Sequence, residues 1–288
     1  MIYLALSILI SSSLFVIFKL FEVYKVNTLQ AIVVNYAIAF LFGYSLSEAP
    51  IEIEQIPDQS WFLGAFSLGF LFIAVFNVMA ITAQKNGLSV ASVAGKMSVV
   101  IPVVFGIFIY KESAGFVKVL GIILALVAVY LSSAKSENNP VKLKNLLFPL
   151  LLFVGSGLID TGIKYVETTY VSEGDVPLFL ATIFGFAFVL GSFFLLIQMI
   201  NGRFQFRWKN IIGGVLLGIP NYYSIVFLLK ALQTEGMESS TLFTINNVGI
   251  VVVTTMVALF VFKEKLVKKN WIGIVLAVIS ILLVVSSS

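Results

Sequence analysis

Long apolar runs separated by short polar breaks occupy this sequence from end to end. A membrane-spanning helix needs about 20 predominantly apolar residues, and ten runs approach or exceed that length. They lie at residues 2–21, 28–47, 61–83, 88–110, 114–132, 145–166, 176–200, 210–231, 239–262 and 268–286. A membrane β-barrel would instead show alternating segments of about 10 residues. The pattern therefore predicts an all-α polytopic membrane protein with ten transmembrane helices.

The composition agrees with this pattern and narrows the range of functions. Hydrophobic residues make up 60% of the 288 residues and charged residues 11%, with a mean hydropathy of +1.07, so lipid has to solvate the apolar side chains. The chain has no cysteine and no histidine, which removes thiolate metal sites and the commonest general base. No nucleotide-binding motif is present. We expect a protein that is not an enzyme and that uses no cofactor or metal.

Polar residues recur at matching positions in the two halves of the chain. Lys-Glu, eight residues and Gly occur twice, at 111–121 and at 263–273. Earlier positions match at offsets of 145 and 149: Ser11, Lys19 and Glu22 with Ser156, Lys164 and Glu167, and Gly64, Gly69, Gln84 and Gly87 with Gly213, Gly218, Gln233 and Gly236. This spacing predicts a first repeat of five helices at 1–132, a linker at 133–144 and a second repeat at 145–288. Because five is odd, the second repeat is inverted.

On these residues the sequence resembles the EamA-type transporters of the drug/metabolite transporter superfamily. The resemblance covers the whole chain. Its specific features are "IPVVFGIFIYKE" with Pro102 ten residues before Glu112, Lys19 and Lys164 near the ends of the first and sixth spans, and Gly121 and Gly273. The second repeat has Thr254 where the first has Pro102, so the ninth span departs from the pattern. The resemblance implies ten helices in two repeats and a transport function, and it leaves the cargo open.

Basic residues gather in the odd-numbered loops between the predicted spans. These residues are Lys25, Lys85, Lys135, Lys142, Lys144, Arg203, Arg207, Lys209, Lys263, Lys265, Lys268 and Lys269, whereas the even-numbered loops have only Lys111 and Lys118. The positive-inside rule then predicts cytoplasmic odd loops and external termini, while the resemblance implies internal termini. This topology explains the net charge of +4 without a nucleic-acid partner. We expect a multi-pass protein of the plasma or inner membrane, either a monomer or a homodimer.

The candidate ionisable side chains within the predicted spans are Lys19, Lys96, Asp160, Lys164 and Lys230. A charge at the bilayer centre costs about 2.5–3.5 kcal/mol on insertion scales, so it needs a partner or a water-filled cavity. Lys96 lies roughly 12 Å into the fourth span and is predicted to bind substrate; pairing with a backbone carbonyl is the alternative. Asp160 is predicted to accept a coupling proton or to meet a cationic group. Lys19 and Lys164 either join such a polar relay or anchor the span ends at the interface.

Uncharged polar side chains complete the predicted site. Amides can donate and accept hydrogen bonds without placing a charge in lipid, and hydrogen bonding between helices is the alternative role for each. The predicted substrate-binding residues besides Lys96 are Asn35, Asn77, Asn221, Tyr222, Asn246 and Asn247. Asn221 follows Pro220, a residue that bends helices.

These features together predict a secondary transporter. We expect it to export a small organic metabolite, amino-acid-like or anionic, by alternating access between the inverted halves, with proton coupling left open. The alternative is a flippase or carrier for a lipid-linked substrate. Five glycines are expected to allow close helix packing: Gly64, Gly69, Gly213, Gly214 and Gly218.

Overall fold

The computed structural model describes residues 2–45, 53–109, 115–134, 143–232 and 239–286. Within these ranges eleven α-helices follow one another: α1 Ile2–Val23, α2 Thr28–Ser45, α3 Phe62–Lys85, α4 Leu88–Met97, α5 Val100–Ile109, α6 Phe116–Ser132, α7 Leu143–Tyr170, α8 Val176–Ile200, α9 Trp208–Leu232, α10 Ser239–Phe260 and α11 Lys268–Ser286. Together α4 and α5 form one interrupted span, so the helices correspond to the ten predicted spans. The predicted fold class is confirmed. Lys111, Glu112, Gln233 and Gly236 of the repeat pattern lie outside the described residues.

Length and apolar composition make most of these helices suitable for crossing a bilayer. Seven spans in the described part of the chain qualify by both criteria, including Leu88–Ile109 taken as one. Phe116–Ser132 and Ile245–Phe260 are apolar but shorter. Helix α7 extends beyond the predicted 145–166 at both ends, because it takes in the last residues of the predicted linker and a further turn after the apolar run.

The fourth span is interrupted at Ser98 and Val99, and Pro102 supplies the reason. Proline has no N–H and therefore cannot donate to the carbonyl four residues earlier. That carbonyl, on Ser98, accepts from the Ile101 N–H at 2.9 Å instead, in a tighter turn. Thr254, the equivalent residue of the second repeat, keeps its N–H, and α10 runs through it without a break. The departure seen in the sequence thus makes the two equivalent spans different.

The described chain falls into two compact units, and each draws residues from both sequence halves. Unit 1 comprises Met1–Leu20, Val78–Gly157 and Tyr223–Ser288, and unit 2 comprises Phe21–Asn77 and Leu158–Tyr222. The units are therefore not the two sequence repeats. The predicted repeat boundaries at 132 and 145 stay a sequence prediction.

Within unit 1, equivalent helices of the two repeats pack in opposite directions. A Cβ added at Gly121 would lie 2.7 Å from Cγ2 of Val284, and one added at Gly273 would lie 2.6 Å from the Ser132 nitrogen. At the repeat offset of 152, positions 121 and 132 of the first repeat are equivalent to positions 273 and 284 of the second. The two contacts are therefore equivalent to each other. Helices α6 and α11 are therefore antiparallel and related by an internal two-fold symmetry.

Unit 2 shows the same inversion. Gly43 packs on Ala181 and Gly191 packs on Val33, which makes α2 and α8 antiparallel. The predicted packing glycines repeat this symmetry, with these contacts: Gly64 on Val166, Gly213 on Phe21, Gly69 on Phe186, Gly218 on Ile38 and Gly214 on Val34. The prediction that these glycines permit close helix approach is confirmed. Inversion within each unit confirms the inverted-repeat part of the fold prediction.

Candidate functional site

The predicted site residues divide between the two compact units. Unit 1 contains Lys19, Lys96, Asn246 and Asn247, and unit 2 contains Asn35, Asn77, Asp160, Lys164, Asn221 and Tyr222. Their roles in binding or coupling remain predictions. The burial and the hydrogen bonds of these side chains nevertheless differ from one residue to the next.

Lys96 lies in the last turn of α4, directly before the interruption of the fourth span. Its side chain is half-buried. The carbonyl groups that end a helix carry a partial negative charge, which stabilises a cation in the last turn. Its neighbour Gly95 faces Phe15 of α1, with 3.6 Å between an added Cβ and the ring. The interruption therefore places a lysine beside irregular backbone inside an apolar span.

The Asn246 side chain joins two helices of unit 1. It is 2% exposed, and its Oδ1 accepts a hydrogen bond from the Ser7 hydroxyl of α1 at 3.0 Å. Gly249, one turn further along α10, packs on Ile8. This bond matches the alternative of hydrogen bonding between helices. Asn247 follows on α10 and is half-buried.

Lys19 makes a structural contact at the end of α3. Its Nζ donates to the Gln84 carbonyl at 3.1 Å, and Gln84 Nε2 donates back to the Phe18 carbonyl at 3.1 Å. A lysine near a helix C-terminus satisfies a carbonyl that has no partner within the helix. This contact fits the alternative in which the lysine anchors the end of its span, and a role in a polar relay stays a prediction.

Asn35 is the most unusual side chain of unit 2. It is fully buried on α2, and neither Nδ2 nor Oδ1 has a hydrogen-bond partner among the residues that the structure describes. A buried polar group left in this way costs about 1–3 kcal/mol. Helix α9 approaches here, because a Cβ at Gly218 would lie 3.0 Å from the Asn35 carbonyl oxygen. The buried amide of Asn35 thus lowers the stability of the fold, and its surroundings are tightly packed.

The remaining amides and the tyrosine of unit 2 lie on α3 and α9. Asn77 donates to the Ile73 carbonyl of its own helix at 2.7 Å. Asn221 is 4% exposed and lies one turn after Gly218. Tyr222 packs on Phe42 of α2, with 5.7 Å between ring centroids. Asn77 therefore uses its amide locally, whereas Asn221 and Tyr222 belong to the α2–α9 contact that includes Asn35.

Asp160 and Lys164 are exposed on one face of α7. The exposed apolar residues of this helix include Leu151, Val154 and Leu158, which form the stripe expected to face lipid. At about 100° per residue, Asp160 lies about 120° or more around the helix from each of these three residues and about 80° from Leu150, which is also exposed. The proposed coupling role of Asp160 stays a prediction.

Glu264 has a role that the sequence did not predict. Its Oε1 accepts a hydrogen bond from the Leu88 N–H at 2.7 Å, at the first turn of α4. Gly87 precedes this turn with φ 111°, in a conformation that favours glycine. A carboxylate here satisfies a free N–H and complements the positive end of the helix dipole. The second repeat thereby holds the start of the helix that carries Lys96. The Lys-Glu spacing signalled a special residue, but not its distant partner.

Asn270 reinforces the same end of unit 1. Its Oδ1 accepts from the Val267 N–H at 2.8 Å, and its Nδ2 donates to the carbonyls of Ser132 at 2.7 Å and Ala134 at 2.9 Å. Asn270, Glu264 and Lys19 are among the residues around a cavity of about 220 Å³. This end of unit 1 is therefore a hydrogen-bonded polar cluster.

Comparison with known proteins places the chain in a family. The EamA-like transporter family matches residues 1–134 and 147–286. A Haemophilus influenzae protein described as uncharacterized is 28% identical over 287 residues, which is 96% of this chain and 95% of that protein. A solved crystal structure has the same fold, with a TM-score of 0.57 and 14% identity, over 98% of this chain and 94% of that one. The chain belongs to the EamA-like transporter family.

Proposed function

We propose that this membrane transporter exports a small organic metabolite with a carboxylate or other anionic group, amino acids being the type case. It works as a secondary transporter by alternating access between its inverted repeats. Inverted repeats support two conformations of similar energy, one open to each side of the membrane. The observation that carries the substrate class is the position of Lys96 at the interruption of the fourth span.

The charge at the interruption favours an anionic ligand. Lys96 supplies a positive charge within the span, to which an anionic group is attracted. Helix α5 begins at Val100, just beyond the break. Transporters commonly bind substrates at such discontinuous helices. We therefore propose that Lys96 binds the anionic group of the substrate. Asn246 and Asn247 of the same unit would contact its other polar groups.

Asp160 is the residue that we propose for proton coupling. A carboxylate that faces water within a span can take up a proton on one side and release it on the other. In proteoliposomes, we expect Asp160→Asn to transport without responding to an imposed pH gradient. A variant that still follows the gradient would remove Asp160 from the coupling step.

The proposal is tested first by finding a ligand and then by changing one lysine. A thermal-shift screen of purified protein against amino acids, organic anions, nucleosides, sugars and lipid-linked carriers identifies the class that stabilises it. We expect anionic metabolites. Stabilisation by lipid-linked carriers alone would contradict the proposal and indicate a flippase.

Lys96→Ala should then abolish both the stabilisation and the transport of that ligand, while Lys96→Arg retains part of each. Lys144→Ala is the matched control, because Lys144 is exposed at the start of α7, outside the apolar part of the span. Unchanged transport kinetics in a folded Lys96→Ala protein would refute the assignment.

A further inference from the structure

A second polar cavity, of about 300 Å³, lies in unit 2 where three helices have their ends. It is lined by Lys25, Val26, Asn27, Gln205, Arg207 and Asn210. Helix α1 ends just before this region, and α2 and α9 begin within it. The cavity therefore brings together two loops that are far apart in the sequence.

Hydrogen bonds hold these loops in place. Asn210 is 2% exposed, accepts from the Asn27 N–H at 2.9 Å and donates to Gln30 Oε1 at 2.6 Å. Gln30 Nε2 donates to the Gln205 carbonyl at 3.2 Å, and Lys209 Nζ donates to the Tyr24 carbonyl at 2.9 Å. The shape of the cavity is thus fixed by the protein itself.

The cavity is strongly basic. Residues 21–27 and 201–210 contain Lys25, Arg203, Arg207 and Lys209, against the single acid Glu22. None of the six lining residues is acidic. The first turns of α2 and α9 add partial positive charge. The positive-inside rule explains bases in loops, but it does not explain their convergence on a preformed cavity.

The polar cavity of unit 1 offers a contrast, because its lining includes a carboxylate. There the cavity lined by Lys19, Lys85 and Lys265 also contains Glu264, whose carboxylate caps α4. The lining of the unit 2 cavity provides cations and amide donors with no carboxylate. An external anion would supply the negative charge that this lining lacks.

Exposed aromatic side chains indicate the depth of this cavity in the membrane. Tyr24 is 66% exposed, Phe206 56% and Trp208 70%, and the last two rings stack edge to face at 5.3 Å. Tyrosine and tryptophan concentrate at the level of lipid headgroups. The anion found at that level in a bilayer is the phosphate of a phospholipid.

We propose that this cavity binds the phosphate of an anionic phospholipid headgroup. Arg207 and Lys25 contact the phosphate oxygens, and the exposed aromatic side chains lie beside the acyl chains. The site holds a lipid next to the α2–α9 contact, and its lining residues belong to unit 2, whereas Lys96 belongs to unit 1.

The test is a lipid titration of the full-length protein in neutral detergent, followed by native mass spectrometry. We expect wild type to bind phosphatidylglycerol in preference to phosphatidylcholine. Lys25→Asn with Arg207→Gln should weaken phosphatidylglycerol binding about tenfold or more, because both charge-assisted contacts are lost. Asparagine is chosen because Lys25 has φ 54°, a conformation that asparagine tolerates.

Two further variants separate local recognition from general effects. Lys144→Gln with Lys268→Gln removes the same charge from unit 1 and should leave phosphatidylglycerol binding unchanged. Lys25→Arg with Arg207→Lys keeps both charges and should keep the lipid preference. Equal losses of phosphatidylglycerol binding in the neutralised cavity variant and in the unit 1 control would overturn the proposal. Loss of the lipid preference in Lys25→Arg with Arg207→Lys would also overturn it.

Inorganic phosphate distinguishes the two sources of the anion. Millimolar orthophosphate should not displace phosphatidylglycerol, because it lacks the acyl chains that pack at the aromatic rim. The contrary result is that orthophosphate alone stabilises wild type and that Lys25→Asn with Arg207→Gln loses this effect. That result would overturn the lipid as the ligand and indicate a soluble phosphate.

Discussion

Replacing Asn35 by leucine tests whether its buried amide is retained at the expense of stability. The side chain is fully buried, and both polar atoms lack a hydrogen-bond partner among the described residues. Leucine is similar in length and removes the unsatisfied group, which costs about 1–3 kcal/mol. At roughly 2 °C per kcal/mol for a chain of this size, the melting temperature should rise by about 2–6 °C.

A matched control exists in the same unit. Asn210 is also almost fully buried, but its side chain accepts from Asn27 and donates to Gln30. Asn210→Leu leaves these partners unsatisfied and should lower the free energy of unfolding by about 1–3 kcal/mol. Two chemically identical substitutions therefore have opposite expected signs, because the Asn210 amide is hydrogen-bonded and that of Asn35 has no partner among the described residues.

Intrinsic tryptophan fluorescence during heating in detergent measures both variants, since the chain carries three tryptophans. A drop in melting temperature for Asn35→Leu as large as that for Asn210→Leu would refute the reasoning. It would mean that the packing against Gly218, rather than the orphan amide, decides stability at this position. If Asn35 binds substrate, transport should fall in Asn35→Leu even as stability rises.

Three further predictions concern the helix ends and the packing. Glu264→Ala should destabilise the protein by about 0.5–2 kcal/mol because the cap of α4 is lost. Lys265→Ala is the control and should leave the stability unchanged, and thermal unfolding measures both variants. Pro102→Ala restores the missing N–H donor, so hydrogen exchange around the interruption should slow and transport should fall; unchanged exchange would argue against proline as the cause. Gly273→Leu should destabilise by about 1–3 kcal/mol because an added Cβ meets backbone, while Gly115→Ala, with nothing within 4 Å, should be neutral. Equal melting temperatures for the two glycine variants would contradict this packing argument.

Two of the candidate lysines, Lys96 and Lys19, show how far sequence reasoning reaches. Depth along a span follows from residue number, so the position of Lys96 inside the fourth span could be predicted. The interruption beside it depends on one missing donor, that of Pro102, and was not predicted from the sequence. Lys19 could be placed near a span end, but its bond to the Gln84 carbonyl could not, since that bond joins two helices. Sequence spacing thus locates a side chain along its helix without naming its partner.

The amides show the same limit. Asn35, Asn77 and Asn246 looked alike as polar residues in apolar runs. The structure separates them into an orphan, a side chain bonded to its own helix and a link between helices. Burial and partners depend on which face of a helix meets which neighbour, and an apolar span carries little amphipathic signal to reveal that face.

The sequence by itself determined the helical membrane class, the spans and the inverted duplication. These follow from apolar run length, from polar spacing and from an odd number of helices per repeat, all of which are properties of the chain read in order. Only the tertiary structure decided that each compact unit mixes both repeats, that Glu264 caps α4 and that Asn210 joins two loops around a basic cavity. Those contacts link residues more than 170 positions apart, and their energies come from packing and hydrogen bonding that local sequence does not specify.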